Sequence, residues 1–410
     1  MLSVAEARAR ILALMPVMGA ETVPLERAAG RVLAEPLSAA RTQPPFDAAA
    51  MDGYAVRNAD AAPGARLHVI GTSRAGARFT RAGARFNGIL RPGEAVRIFT
   101  GAPVPPGADA VLIQEDAEAA GDTITVRANR DTQAYIRPAG QDFSAGDTFP
   151  ATGRLRAADI ALLAAMNHAA VPVRRRPVVA LIPTGDELVL PGQDPGPDQI
   201  VSSNNYGLAA MLEAAGAQAR LLPIARDDPA AIDAVLALAR DADLIVTLGG
   251  ASVGDHDLVR STAEGAGLTL DFHRIAMRPG KPLMSGRLGD TALVGLPGNP
   301  VSAMACGAVF LVPAVRAALG LAPKPQLVTA RLAAGLPANG PREHYMRAAL
   351  SQNDAGRKVD VFERQDSALL TVLQAANALV LRPPGAPAAP AGERVDVLPL
   401  AGGDAATFPP

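Results

Sequence analysis

The alternation of short apolar runs with amphipathic segments between residues 177 and 320 is the feature that most constrains the fold. The runs are VVALIP (178–183), ARLLPIA (219–225), DLIVTL (243–248) and ALVGL (292–296). Helical patterns occupy 204–216, 227–240 and 301–319, with Asp228 as a predicted N-cap and Pro229 at the first helical position. Strands that alternate with helices of this length predict a parallel sheet that is covered on both faces.

Each predicted strand leads into a loop of unusual composition. These loops are residues 184–187 (TGDE), 226–228 (RDD), 249–255 (GGASVGD) and 297–302 (PGNPVS). Ligands of open parallel sheets bind beyond the carboxyl ends of the strands, and parallel topology brings these ends to one edge. We therefore expect the four loops to converge and to form the functional site.

The chemistry of this edge favours a phosphorylated ligand with a divalent cation. Glycines let backbone N–H groups approach a ligand closely, and the helix that starts near Pro300 is expected to present unpaired N–H groups to an anion. Arg278 and Lys281 add positive charge. Carboxylates come from Glu187, Asp227, Asp228, Asp255 and Asp257. Carboxylates and phosphate repel one another because both are negatively charged. A Mg²⁺ ion bound between them would offset this repulsion.

Each of these residues also has a purely structural interpretation. Asp228 is explained by helix capping, Asp186 and Glu187 by an ordinary turn, and the glycine pairs by close packing of strand and helix. Cys306 lies in an Ala- and Val-rich helix and is interpreted as a core residue. The chain has neither a GxxxxGK[ST] nor a GxGxxG motif, which excludes an ordinary P-loop NTPase or nicotinamide enzyme. The residues alone predict only a Mg²⁺-dependent phosphohydrolase.

The rest of the chain divides by composition. We predict a discontinuous framework domain (1–44 and 144–176), an inserted β domain (45–143), the α/β domain (177–322) and a small C-terminal β-barrel domain (323–410). Ser3 and Glu6 form a capping box at the start of the first helix. Short apolar runs between turn signals, such as LHVIG and TITVR, identify the inserted domain as all-β.

Composition excludes several classes of partner. Lys and Arg (39) balance Asp and Glu (40), and aromatic residues make up 3% of the chain, so neither nucleic acid nor an anionic membrane is expected as a partner. One cysteine and five scattered histidines argue against a disulfide or a Cys/His metal centre. Charged residues interrupt the apolar N-terminal segment, and no apolar run is expected to span a bilayer. We expect a cytoplasmic protein.

Seven motifs then resemble one family, the molybdopterin molybdenumtransferases of the bacterial MoeA type and their gephyrin E-domain relatives. They are PPFDAAAMDGYAVR (44–57), TGAPVPPGADAV (100–111), RPAGQD (137–142), PTGDEL (183–188), GGASVGDHD (249–257), RPGKP (278–282) and LPGNPVSA (296–303). The resemblance implies an L-shaped homodimer with four domains per subunit, in which an elongated helical first domain carries the inserted β domain. It also implies a molybdopterin-binding fold for the third domain and a small β-barrel for the fourth.

The implied reaction takes adenylylated molybdopterin and molybdate, releases AMP with the help of Mg²⁺, and leaves molybdenum on the dithiolene. The residues to which the resemblance and the loop pattern assign catalysis are Asp52, Thr100, Asp142, Glu187, Asp228 and Asp255, with Glu187 and Asp255 as metal ligands. Asp52, Thr100 and Asp142 are expected to reach the α/β domain of the partner subunit. The candidate ligand-binding residues are Gly249, Gly250, Ser252, Gly254, Arg274, Arg278, Lys281, Pro297, Gly298, Asn299, Ser302, Arg347 and Ser367.

The chain departs from the family at Arg274 and Arg278, where many members have lysine. Arginine keeps the positive charge but offers a planar fork of donors, so Arg278 has either molybdate or the pterin phosphate as its predicted contact. Two rival functions stay open. One is the adenylyltransferase that activates molybdopterin with ATP, against which the inserted β domain and the C-terminal barrel argue. The other is a dimeric scaffold that binds peptides. The adenylyltransferase and apo-molybdoenzymes are candidate protein partners.

Overall fold

The chain is described by a computed structural model over residues 1–76, 88–249, 258–354 and 356–400. By their contacts the residues form two compact units. The first comprises Met1–Glu21, Gly30–Val32 and Val173–Pro410, and the second comprises Thr22–Ala29 and Leu33–Pro172.

The first 176 residues contain the helices α1 (Val4–Leu14) and α2 (Ala157–Ala165). Their strands are β1 (Ala20–Pro24), β2 (Leu37–Ser38), β3 (Ala48–Ala49), β4 (Gly53–Val56), β5 (Arg66–Ser73), β6 (Glu94–Ile98), β7 (Ala110–Ile113), β8 (Ala117–Ala120), β9 (Thr123–Val126), β10 (Ile136–Arg137), β11 (Thr148–Phe149) and β12 (Ala170–Arg174). The predicted capping box of Ser3 and Glu6 starts α1. Strands β7-β4-β6-β5-β9-β8 form a sheet in the second unit, which confirms that this region is rich in β-structure.

A second sheet forms the centre of the first unit, in the order β16-β13-β17-β21-β20-β18. The strands of this region are β13 (Val178–Pro183), β14 (Leu188–Val189), β15 (Ile200–Val201), β16 (Gln218–Leu221), β17 (Leu244–Leu248), β18 (Leu268–His273), β19 (Met277–Arg278), β20 (Met284–Leu288) and β21 (Thr291–Leu296). The helices are α3 (Asn204–Ala214), α4 (Pro229–Ala237), α5 (Leu258–Gly265), α6 (Pro300–Cys306) and α7 (Val312–Ala318).

Helices cover both faces of this sheet, as predicted. Val179 and Leu181 of β13 pack into one core with α3, α6 and α7, while Ala180 and Ile182 pack into the other core with α4 and α5. This alternation follows from the period of two residues with which side chains leave a strand.

The sheet is mixed, which corrects the prediction of a parallel sheet. Strands β16, β13, β17 and β21 run parallel, but β20 is antiparallel to both β21 and β18. Gly289 and Asp290 are the two residues between β20 and β21, and Gly289 has a φ of 61°. A connection of two residues can only make a hairpin, because a parallel pair needs a long crossover.

The run 300–318 corrects the expectation that no segment is long enough to span a membrane. It has 19 residues and a mean hydropathy of 1.7, but 72% of it is buried within the protein. Between α6 and α7 a π-helical segment, Gly307–Leu311, joins the two helices. Pro313 is the second residue of α7 and directly follows the π-helical turn. This is a core helix of the α/β domain.

The remaining elements are β22 (Val328–Leu332), β23 (Glu343–Asn353), β24 (Gly356–Val361), α8 (Leu370–Ala375), β25 (Ala378–Arg382) and β26 (Arg394–Pro399). Strands β23, β24, β22, β26 and β25 pair in that order, and β25 pairs with β23, which closes a five-stranded barrel. The predicted C-terminal barrel is confirmed. Strand β19 adds to the barrel beside β23, so the barrel is joined to the α/β region by main-chain pairing.

Candidate active site

The carboxyl ends of the parallel strands meet at one edge through main-chain hydrogen bonds. The N–H of Thr184 donates to the carbonyl of Leu248 at 3.0 Å, and the N–H of Gly249 donates to the carbonyl of Leu296 at 3.1 Å. Thr184, which follows β13, also forms a parallel bridge with Ala225, in the connection that leads from β16. The predicted convergence of the four loop starts is therefore observed.

Glycine is required at this edge because backbones approach one another closely there. Gly249 has a φ of 103°, and a Cβ on it would lie 2.8 Å from the carbonyl oxygen of Thr184. A Cβ on Gly298 would lie 3.6 Å from the Cα of Gly249, so the loops after β17 and β21 are neighbours. Asn204 of α3 fixes the second loop, since its Nδ2 donates to the Gly298 carbonyl at 2.7 Å.

Glu187 is held close to the end of β13 by the conformation of the loop. Gly185 has a φ of 139°, and a Cβ on it would overlap the carboxylate of Glu187. The Glu187 side chain therefore folds back over the backbone of Gly185, while the residue as a whole is exposed. This arrangement keeps one carboxylate at the edge of the sheet, accessible to a cation or to water.

Two other acidic residues of these loops, Asp186 and Asp228, make structural hydrogen bonds. The Asp186 carboxylate accepts from the N–H of Asp227 at 3.1 Å, and Arg226 donates to the Asp186 carbonyl at 2.9 Å. Asp228 is the N-cap of α4, as predicted, and its Oδ2 accepts from the N–H of Ala231 at 2.9 Å. The cap engages one oxygen of Asp228 and accounts for an acidic residue at this position.

The first turn of α6 contacts the loop that follows β24. Asn299 Nδ2 donates to the hydroxyl oxygen of Ser367 at 3.1 Å, and the N–H of Val301 donates to the Ser367 carbonyl at 3.0 Å. Ser302 lies in the same turn and is 5% exposed. The prediction of unpaired N–H groups at this helix start is corrected at two positions. Proline has no N–H at position 300, and the N–H of Val301 donates to Ser367.

The cationic turn RPGKP lies against the same helix. A Cβ on Gly280 would lie 2.6 Å from the sulfur of Cys306, so the turn between Arg278 and Lys281 packs on α6. The N–H of Ile275 donates to the Lys281 carbonyl at 3.1 Å, which closes the base of the turn. Arg274 adopts a φ of 95°, a left-handed conformation that is uncommon for a residue with a side chain.

Three guanidinium groups surround His344 at the junction of β19 and β23. Arg278 of β19 lies opposite His344 of β23 in the strand register, and His344 is 7% exposed. Burial first, and then the positive charges of Arg278, Arg342 and Arg347, lower the pKa of His344 from 6.5 to about 4. The imidazole is therefore neutral near neutral pH, and the three guanidinium charges add to the effect of burial.

Arg347 is 1% exposed, and its guanidinium donates to the carbonyls of Leu369 at 3.3 Å and Arg364 at 3.2 Å. Burial lowers its pKa, and the charge of Asp366 opposes this shift. Arg347 thus holds both ends of the loop that carries Ser367.

In the second unit the structure brings Asp52 and Thr100 together. The Asp52 carboxylate accepts from the N–H and from the hydroxyl of Thr100, both at 2.7 Å. These two hydrogen bonds are the main reason why the pKa of Asp52 is lowered. Asp142 is exposed, and its N–H donates to the carbonyl of Gln43. Among the described residues no hydrogen bond links Asp142 to the Asp52–Thr100 pair.

Four predicted site residues, Gly250, Ser252, Gly254 and Asp255, lie outside the described residues. Within residues 1–76, 88–249, 258–354 and 356–400, no group of three or more His, Cys, Asp or Glu side chains could hold a metal ion. A Mg²⁺ ion bound by one or two carboxylates together with substrate phosphates needs no such group. Glu187, whose carboxylate lies at the strand edge, fits that mode of binding.

Several residues that organise this edge were not predicted from the sequence. Asn204, His344 and Gln365 carry hydrogen bonds or charge interactions that fix the predicted residues. Asn204 is the first residue of α3, in a run of polar residues that suggested only a helix start. Gln365 is two residues before Ser367, and nothing in the sequence shows that it pairs with β23.

Three family models match consecutive parts of the chain. They are the MoeA N-terminal region, domains I and II (residues 2–167), a probable molybdopterin binding domain (180–317) and the MoeA C-terminal region, domain IV (329–400). The second match corresponds to the α/β sheet and its helices, and the third corresponds to the C-terminal barrel. Together they cover nearly all of the described chain.

Relatives and solved structures agree with these matches. A molybdopterin molybdenumtransferase from Nostoc sp. is 37% identical over 80% of this chain and 77% of its own. Molybdopterin molybdenumtransferase 1 from Mycobacterium tuberculosis is 33% identical over 98% of this chain and 99% of its own. The crystal structure of the molybdopterin biosynthesis MoeA protein from Pyrococcus horikoshii has a TM-score of 0.83 and 30% identity, and the match covers 98% of this chain and 99% of that one. The chain belongs to the molybdopterin molybdenumtransferase family.

Proposed function

We propose that this chain inserts molybdate into adenylylated molybdopterin and releases AMP, as the transferase step of molybdenum cofactor biosynthesis. The observation that carries the proposal is the convergence of Glu187, Asn299, Ser302 and Ser367 at one edge, with the RPGKP turn packed on the same helix. Such an edge combines a carboxylate with neutral hydrogen-bond donors and cations. A pterin diphosphate and an oxyanion need this combination.

The side chains at this edge have separate roles in the proposal. Arg278 and Lys281 hold the oxyanion by charge, and the hydroxyls of Ser302 and Ser367 orient it. Because Pro300 has no N–H and the N–H of Val301 is already paired, anion binding depends on these side chains more than on the helix terminus. The buried Arg347 adds to the positive potential. Pro297, Gly298 and Gly249, together with Gly250, Ser252 and Gly254, let the pterin diphosphate approach the backbone, and Arg274 lies beside the cationic turn.

The protein supplies no thiolate to molybdenum in this proposal. Cys306 is the one cysteine of the chain, and burial raises its pKa to about 12. It therefore stays protonated, and the sulfur ligands of molybdenum come from the dithiolene of the substrate. Mg²⁺, held by Glu187 and by Asp255, would neutralise charge on the phosphoanhydride and on the departing AMP. Asp228 is assigned to the same acidic group.

We further propose that the protein is a cytoplasmic homodimer built from the four domains predicted above. Asp52, Thr100 and Asp142 then complete the α/β edge of the partner subunit. The exposed position of Asp142 and the firm hydrogen bonding of the Asp52–Thr100 pair support this role. An exposed carboxylate such as that of Asp142, and a firmly held pair such as Asp52 and Thr100, can contact a ligand that is bound by another subunit.

The experiment compares Glu187→Gln with Asp186→Asn. Both changes remove one negative charge from the same loop, but the Asp186 carboxylate only accepts a backbone hydrogen bond, which an amide oxygen can also accept. We expect Glu187→Gln to lower molybdate-dependent AMP release at least about tenfold, a loss of about 1.4 kcal/mol, and to weaken its dependence on Mg²⁺. Asp186→Asn should stay within about twofold of the wild type.

The assay also separates the rival functions. Consumption of ATP with molybdopterin, without AMP release from the adenylylated pterin, would identify an adenylyltransferase instead. Peptide binding with neither reaction would identify a scaffold. Equal activity of Glu187→Gln and wild type would remove Glu187 from the site.

A further inference from the structure

The side chain of Gln365 fixes the loop that carries Ser367 to the barrel. Its Nε2 donates to the carbonyls of Arg347 at 3.0 Å and Phe362 at 2.7 Å, and its Oε1 accepts from the N–H of Arg347 at 3.0 Å. Gln365 is partly buried and uses both donors and its acceptor in these bonds. It therefore clamps the loop to the backbone of β23.

The clamp acts together with the guanidinium of Arg347, which donates to the carbonyls of Arg364 and Leu369 on either side of the loop. Between these points, Asp366 accepts from the N–H of Ala368 at 2.8 Å and so closes a tight turn around Ser367. Contacts on the barrel side thus hold the loop both before and after Ser367.

On its other side Ser367 joins the loop to the start of α6. The Ser367 carbonyl accepts from Val301, and the Ser367 hydroxyl oxygen accepts from Asn299. We propose that Gln365 is a positioning residue for oxyanion binding, because it holds Ser367 where it completes the first turn of α6. The consequence for molybdate rests on the function proposed above, whereas the consequence for the structure does not.

Asn377 provides a matched control. Its side chain makes the same kind of clamp on β23, since its Oδ1 accepts from the N–H of Leu350 at 2.7 Å and its Nδ2 donates to the Leu350 carbonyl at 2.9 Å. It lies between α8 and β25, ten residues after Ser367, and none of its hydrogen bonds involves the loop 362–369. Asn377→Ala therefore removes a comparable clamp from the same barrel without releasing Ser367.

The first measurement is hydrogen exchange followed by mass spectrometry on the full chain. Gln365→Ala should speed exchange in peptides that cover residues 299–306 and 362–369, because the N–H of Val301 loses its acceptor. Asn377→Ala should leave these peptides at wild-type rates. Gln365→Asn keeps an amide on a side chain that is one methylene shorter, so it provides a milder variant with an intermediate effect should the alanine variant fold poorly.

The second measurement is the molybdate dependence of AMP release. Gln365→Ala should raise the KM for molybdate about tenfold with little change in kcat, and Asn377→Ala should change neither. When Ser367 is already replaced by alanine, Gln365→Ala should not raise the KM for molybdate further, because the two residues act through one contact.

The proposal is wrong if the Gln365 and Asn377 variants behave alike in exchange, or if the double variant shows the product of the two single effects on KM. If the wild type shows no molybdate-dependent reaction, the proposed function fails, and the exchange of Val301 alone then decides whether Gln365 positions the loop.

Discussion

His344 is a single side chain whose surroundings set how the first unit responds to acid. Its pKa is lowered to about 4 in the folded chain. Below pH 6.5 the imidazole therefore becomes protonated in the unfolded chain, whereas in the folded chain it stays neutral until the pH approaches 4. Stability is therefore complete above pH 6.5 and falls as the pH decreases toward 4.

Replacing His344 with glutamine should remove this acid sensitivity. Between about pH 7 and pH 5 the wild type should lose about 2 kcal/mol more unfolding free energy than His344→Gln. Urea unfolding of both proteins at the two pH values measures this difference. The same loss in both proteins would mean that His344 titrates normally in the folded state.

Gly249 is the second residue whose environment makes a sharp prediction. An alanine there combines a strained φ with a contact of 2.8 Å to the Thr184 carbonyl oxygen. Gly267 has a similar φ of 100° but no atom within 4 Å of an added Cβ, which makes Gly267→Ala the control for backbone strain alone.

We expect Gly267→Ala to cost about 1 kcal/mol and Gly249→Ala clearly more, because the carbonyl of Thr184 cannot move away without breaking the strand edge. Thermal unfolding compares the two variants. Gly249→Ala should also abolish AMP release, whereas Gly267→Ala should keep it. Equal stability of the two variants would contradict the close approach of the loops after β13 and β17.

The elements themselves were largely readable from the sequence. The ends of β13, β17 and β21, the capping box of α1, the cap of α4 and the barrel strands follow from apolar runs and cap residues. The antiparallel β18 and β20 were missed, since MSGRL is short and contains glycine and arginine in a strand. The hairpin signal Gly289–Asp290 was nevertheless present, as it was at Gly121–Asp122 between β8 and β9.

The candidate site was only partly readable for a different reason. Loop positions follow from topology, so the placement of Glu187, Asn299 and Ser302 could be predicted. Contacts between segments far apart in sequence, such as Ser367 with Val301, depend on how the barrel joins the α/β region. Periodicity and composition do not show how these segments meet. The hydrogen bond from the N–H of Val301 to Ser367 was therefore not predicted.

Helix α4 allows capping to be separated from catalysis at Asp228. Asp228→Ala should destabilise the protein by about 1 kcal/mol, because the N–H of Ala231 loses its acceptor. Asp228→Asn should keep the stability, since an asparagine also caps a helix, but it should lose AMP release if the carboxylate charge is used as proposed. Full activity of Asp228→Asn, measured beside its unfolding midpoint, would reduce Asp228 to a cap.

For the whole molecule, the proposed sharing of each site between two subunits predicts complementation. Asp52→Asn and Ser302→Ala subunits should each be inactive as homodimers. After unfolding and refolding together in equal amounts, half of the dimers are mixed and contain one site without either substitution. The mixture should then recover about a quarter of the wild-type rate of AMP release. A mixture as inactive as its components would mean that each site lies within one subunit.

We propose that the oxyanion binds at the edge formed by the first turn of α6, the Ser367 loop and the cationic RPGKP turn. Anomalous diffraction at the molybdenum edge from crystals soaked in molybdate locates the bound oxyanion. We expect a peak within hydrogen-bonding distance of the Ser302 and Ser367 hydroxyls. A well-occupied peak elsewhere on the chain, with none at this edge, would rule out oxyanion binding here.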